Sequence, residues 1–129
     1  MGLQEDTREV LIDKGLSNIF IGNLVDEIEE QTVIYSGGGG GQSDDMDGNF
    51  FEQVIKVITK GVNISELSDR NIAVRKALHN VTGEELKVIF NNTNIVGYRI
   101  LSDVVTLGQD ERGRHMYSFS FVALLNDIL

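Results

Sequence analysis

The sequence predicts an α+β fold, a mixed or mainly antiparallel β-sheet with two main helices packed on it. Three observations carry this. Two segments repeat apolar residues at helical spacing, several short runs are rich in β-branched and aromatic residues, and the order of elements is α, β, β, loop, β, α, then mostly β. At 129 residues the chain is near the size of one hydrophobic core, so residues 1–129 are read as a single domain.

Residues 3 to 14 set Leu3, Val10 and Leu11 on one helical face among charged neighbours, and Gly15 supplies a natural stop. Ile19–Ile21 and Thr32–Tyr35 are β-prone runs joined by the acidic segment Asp26 to Glu30. Ser36 to Asn49 has low complexity: Gly37, Gly38, Gly39, Gly40 and Gly41 run unbroken, and Asp44, Asp45 and Asp47 follow. So little apolar surface does not offset the entropy of ordering, and residues 36–49 are expected to form a flexible loop.

Phe50–Thr59 carries apolar side chains on both faces, which suits a central strand. Asn63 can cap the next helix while Glu66 completes a capping box. Leu67, Val74, Leu78 and Val81 form its apolar stripe, interrupted by Asn71; Arg70, Arg75 and Lys76 are expected to face water, and Thr82-Gly83 ends the helix. Leu86–Phe90 is a further strand candidate, with Asn91–Asn94 as its turn. Tyr98–Leu107 and Met116–Leu124 give the strongest β signal; the second sets Tyr117, Phe119 and Phe121 on one face and Ser118 and Ser120 on the other. Gly108 to His115 between them reads as a solvated hairpin turn.

Composition removes several classes of function. The chain has no cysteine, which excludes disulfides, thiolate nucleophiles and cysteine-bound zinc. No run approaches the roughly 18 to 20 apolar residues of a spanning helix, and the N-terminus lacks a signal-peptide pattern, so no membrane association and a cytoplasmic site of synthesis are expected. Twenty acidic against 11 basic residues, a formal net charge of −9, oppose binding to nucleic acid phosphates. That charge suits solubility, or a channel wall past which DNA slides without sticking.

The chemical motifs each fail at a named position. A phosphate loop needs Gly-Lys-Ser/Thr, but Gly41 is followed by Gln42-Ser43-Asp44. Asp45, Asp47 and Asn49 occupy the first ligand positions of a calcium loop, yet glycine falls fourth rather than sixth and Lys56 stands twelfth in place of the bidentate glutamate. A loosely held divalent cation at Asp44, Asp45 and Asp47 is the alternative to a plain acidic loop. His79 and His115 have no glutamate at metal-site spacing, and no serine sits in a nucleophile elbow. No catalytic, cofactor or metal residue is assigned, and an enzyme is not expected.

The segment Gly97-Tyr98-Arg99-Ile100-Leu101, then Leu107 through Asp110-Glu111-Arg112-Gly113-Arg114-His115, then Tyr117 to Phe121, is similar to siphophage tail terminator and minor capsid proteins. Ile19–Gly22 and Thr32–Tyr35 fit the first two strands of that family in order and spacing. The resemblance implies a structural virion assembly protein of a long-tailed bacteriophage, assembled in the host cytoplasm and located at the head–tail junction. It would form a homo-oligomeric ring, usually a hexamer, that caps the tail tube and faces the head connector. Its partners would be itself, the major tail-tube protein and connector proteins, with DNA passing through unbound. On this reading Gly37 to Gly41 with Asp44, Asp45 and Asp47 are expected to dock on the tube or connector. Glu111, Arg112, Arg114 and His115 are expected to pair across subunits, with a plain solvated hairpin as the equal alternative. A head-completion or connector protein, and a small metal- or ligand-binding module built on the acidic glycine loop, are the competing readings.

Overall fold

The computed structural model describes residues 3–25, 27–42, 50–81 and 95–126. Helix α1 (Leu3–Asp13) is followed by β1 (Ile19–Ile21), β2 (Gln31–Gln42), β3 (Phe50–Gly61), α2 (Ile64–Asn80), β4 (Ile95–Ile100), β5 (Val105–Gln109) and β6 (His115–Asn126). The strands form one mixed sheet in the order β1-β2-β3-β6-β4, with β5 also paired to β6. Among the described strands, only β1 and β2 run parallel. With three residues in β1, the chain has to travel back only about 10 Å to restart alongside, so a loop serves where a longer parallel pair would need a crossover helix.

β6 holds the sheet together. One edge pairs along its full length with β3, from Phe50↔Asn126 to Gly61↔His115. Its other edge is shared end to end, with Ile95–Ile100 opposite residues 121–125 and Val105–Gln109 opposite residues 115–118. The single strand expected over Tyr98–Leu107 is therefore two strands. The break is held by β6 itself: Ser102 Oγ accepts the Ser120 amide at 2.9 Å, while Leu101 N donates to Ser120 O at 2.9 Å.

Register sets the core. Ile34 lies opposite Val57, Val57 opposite Phe119, Ile55 opposite Phe121 and Tyr98 opposite Ala123, so these side chains share one face. They form a continuous core with Val10 and Leu11 of α1 and Val74 and Leu78 of α2, which places both helices on that face. Phe119 and Phe121 meet edge to face with ring centroids 5.7 Å apart, an arrangement that matches the positive edge of one ring to the negative face of the other. Full burial of each such ring contributes about 2–3 kcal/mol.

Both helix ends follow from the sequence. Leu16 N donates to Leu11 O at 3.1 Å while Gly15 takes φ +90°, the left-handed cap that a side chain would strain. Asn63 accepts the Glu66 amide at 3.1 Å, the expected N-cap bond. Leu67, Val74 and Leu78 are buried as the stripe required, while Val81, also buried, lies just past the helix in extended backbone, so α2 ends at Asn80. Asn71 does not interrupt that stripe but completes it, bonding Thr59 of β3 in the interior. Arg70, expected in water, is buried: it donates to Ser17 O and to Thr32 Oγ1, each at 3.0 Å, and lies 3.5 Å from Glu30. Its stem fills space against the sheet while the guanidinium ties α2 to the start of β2.

The other departure concerns the glycines. β2 continues through Gly37 to Gly41, with Gly40 opposite Gln53 and Gly41 opposite Glu52, after a register shift beyond Ser36. β3 supplies a backbone template, and ladder hydrogen bonds require no side chain from the partner. Asp44, Asp45 and Asp47, the strand expected at Leu86–Phe90 and the turn at Asn91–Asn94 lie outside the described residues.

Candidate functional site

Two exposed regions of the described surface carry the expected or unexpected interaction chemistry. The first is the β5–β6 hairpin. Gly113 N donates to Asp110 O at 3.0 Å, Asp110 N donates to Arg114 O at 2.9 Å, and Gly113 takes φ +74°, closing a three-residue loop with a glycine bulge. Asp110 organises it from within: its carboxylate accepts from Arg112 N at 3.0 Å, Arg114 N at 2.9 Å and Arg114 Nε at 2.7 Å, and lies 2.8 Å from Lys60 Nζ. Lys60, then the Arg114 and Arg112 donors, hold its carboxyl well below the usual carboxylate range despite partial desolvation.

Arg114 is thereby turned inward. Its side chain is 3% exposed and its Nη1 also donates to Ile28 O at 3.2 Å, fastening the hairpin to the β1–β2 loop. Gln31 fastens that loop from the other side, its amide bonding Val25 N, Val25 O and Ile28 O. Of the charges expected at the turn, Glu111 and Arg112 are exposed, while Arg114 works inside the subunit. His115 lies half-buried beside Gln109, 3.3 Å away. A shallow depression of about 500 Å³ beside the turn is lined by Lys60, Gln109, Asp110, Glu111, Arg112 and Arg114. Lys60 and Gln31 were invisible as partners in the sequence, because only register brings them beside the hairpin.

The second region has no motif at all. Between α2 and the start of β6 lies a groove of about 220 Å³ lined chiefly by Ile64, Ile72, Arg75, Val104 and Tyr117. Ile64 is 54% and Ile72 49% exposed, and Val105 and Leu107 of β5 are exposed as well. Arg75 lies across the groove with its guanidinium carbon 6.0 Å from the Phe119 ring centroid and Nη2 3.8 Å from Asp103. Its buried Nε has no hydrogen-bond partner among the described residues. Sequence reading placed Arg75 in water and missed the groove, since its walls come from three separate segments.

On the far side of the helical layer, α1 turns Thr7, Val10 and Leu11 inward and leaves Glu5, Ile12 and Asp13 exposed, with Glu9 half-exposed beside them. Thr7 anchors this helix, its hydroxyl 2.8 Å from Leu3 O and 2.9 Å from Tyr98 Oη, while Arg8 Nε donates to Ile19 O at 2.7 Å. Burial pushes the Tyr98 phenol far above its ordinary pKa. No group of three or more metal-binding side chains occurs among the described residues, and none of their helices is long and apolar enough to cross a membrane.

Among the described residues two helices pack on one sheet, and the outer surface offers exposed apolar and charged side chains. The family model for bacteriophage tail terminator proteins matches residues 7–127, and the chain belongs to that family. It is therefore a structural, tail-terminating protein of the phage virion. Among solved structures, a chain of the virion of a native gene transfer agent particle shares the fold with a TM-score of 0.59 at 16% identity, covering 96% of this chain and 94% of that one. No curated protein matches the sequence.

Proposed function

We propose that the chain acts as a homo-oligomeric ring, a hexamer, that caps the finished tail tube with one face and meets the head connector with the other, without catalysis. The family match over residues 7–127 is the observation that carries this reading. Such a protein works through shape: a fixed rotation between identical neighbours closes a ring, and the ring's rim ends tube polymerisation. DNA passes through the pore without being held, in keeping with a net charge of −9. Assembly takes place in the host cytoplasm. Gly37 to Gly41, Asp44, Asp45 and Asp47 are the proposed contacts to the tube or connector, and Glu111, Arg112 and His115 those at the hairpin rim.

The test is polymerisation of the tail-tube protein of the same virion with and without this chain, followed by negative-stain microscopy. Tubes should stop at bounded lengths, carry a pored ring at one end and fail to elongate when more tube protein is added. Tubes that grow past the added chain would overturn the reading.

A further inference from the structure

We infer that one copy of the chain docks on the next by laying the outer face of its helix α1 into the α2–β6 groove of the neighbour. The inference rests on the ring reading above and names the surfaces that make it. The groove presents Ile64, Ile72, Val104 and Tyr117 around Arg75, whose buried Nε lacks a hydrogen-bond partner among the described residues. A buried donor left unmatched in a subunit is stabilised when an acceptor arrives with its own apolar surround. Helix α1 carries that complement: Glu5, Glu9 and Asp13 recur at four-residue intervals, which aligns them in one row, and the exposed Ile12 stands beside the row. A carboxylate meets the guanidinium while an aliphatic side chain enters the groove.

Charge and position favour this pairing over its alternatives. Residues 1–30 hold eight acidic residues against only Arg8 and Lys14, so two copies of the α1 flank repel each other. Arg75 lines the groove and is held by the exposed Asp103 only at 3.8 Å, which leaves its guanidinium open to a second carboxylate, while the exposed Lys76 and Asp69 beside it offset each other. The outer face of α1 and the groove between α2 and β6 are different surfaces of the subunit. A surface that fits a different surface of the next copy makes a heterologous contact, which propagates from copy to copy and closes into a ring when the rotation between neighbours is right. β1 does not serve as a strand-pairing edge instead, because it spans three residues and Arg8 occupies the Ile19 carbonyl.

The chain contains no cysteine, so single cysteines report contacts cleanly. Ile12→Cys and Ile72→Cys, both at exposed positions, are purified separately, then oxidised alone and mixed, in solution and on tail tubes. Disulfide dimers should form in the mixture and not in either variant alone, and the double variant should give a covalent ladder that ends at the ring number. Dimers of Ile72→Cys alone would show groove meeting groove and overturn the inference, as would a mixture that stays uncrosslinked both free and on tubes. Arg75→Glu should weaken association at least tenfold, and mixing it with Glu9→Arg should restore a dimer. Wild-type chain that caps tubes while these contacts fail leaves the terminator function standing and only the docking surface refuted.

Discussion

The hydroxyl pair Thr7–Tyr98 joins α1 to β4 across 91 residues of sequence, and its removal in steps makes a sharp test of how the helix is held. Tyr98→Phe leaves Thr7 its second partner, Leu3 O, so the loss is that of one net hydrogen bond, about 1 kcal/mol. Thr7→Val leaves the Tyr98 hydroxyl buried without this partner, and stranding a buried polar group costs roughly 1–3 kcal/mol. The double variant strands nothing, so its loss should fall short of the sum of the two by about 1 kcal/mol. Urea unfolding followed by circular dichroism reads all four species; tryptophan is absent, so fluorescence is a poor probe. In a chain of this size 1 kcal/mol corresponds to a shift in Tm of roughly 3–6 °C.

The same pair predicts an alkaline limit. The folded Tyr98 pKa is raised, so its contribution is fully present below the ordinary value of 10.0 and is lost as pH rises, because the unfolded phenol ionises first. Stability should fall above pH 10 by up to about 1.4 kcal/mol per pH unit from this group, and less steeply in Tyr98→Phe. Strict additivity of the two single losses, together with an unchanged alkaline slope in Tyr98→Phe, would refute the buried pair.

Two further outcomes follow from the hairpin and the core. Asp110 has a depressed folded pKa, so its contribution is present above the ordinary carboxylate range and is lost as pH falls below about 4. Asp110→Asn should lower Tm at neutral pH and flatten its fall in acid; an acid profile identical to wild type would count against the hairpin cluster. Phe119→Ala should cost roughly 3–5 kcal/mol by leaving a cavity at the centre of the sheet, whereas the exposed Ile72→Ser should stay within about 0.5 kcal/mol in thermal melts of the isolated subunit.

Residues whose role depends on neighbours in sequence were legible. The Asn63 cap, the Gly15 stop, the Tyr117–Phe121 alternation and the hairpin at Asp110 to Arg114 all express local geometry. The central place of β3 was also legible, from apolar residues on both its faces. What sequence hid was decided by partners far along the chain. Arg70 is buried because Ser17, Thr32 and Glu30 converge on it, and Asn71 because Thr59 faces it. The glycines read as loop because composition counts side chains and not the ladder that β3 offers. The split of β4 from β5 depends on Ser102 accepting a β6 amide, which no local propensity encodes.

The central place of β6 bears on how the protein is made. It is the last strand in the chain order, yet β3, β4 and β5 all pair with it. While the ribosome is still delivering residues 115–126, β4 and β5 have no strand to join among the described residues, and the inner face of β3 stays open along one edge. The pairs of β6 with β3, β4 and β5 therefore form only once residues 115–126 are available, and those with β3 span a large sequence separation, which slows their formation. A chain that ends between β3 and β6 leaves the β6-facing edge of β3 unpaired among the described strands, the kind of open edge on which another chain can add.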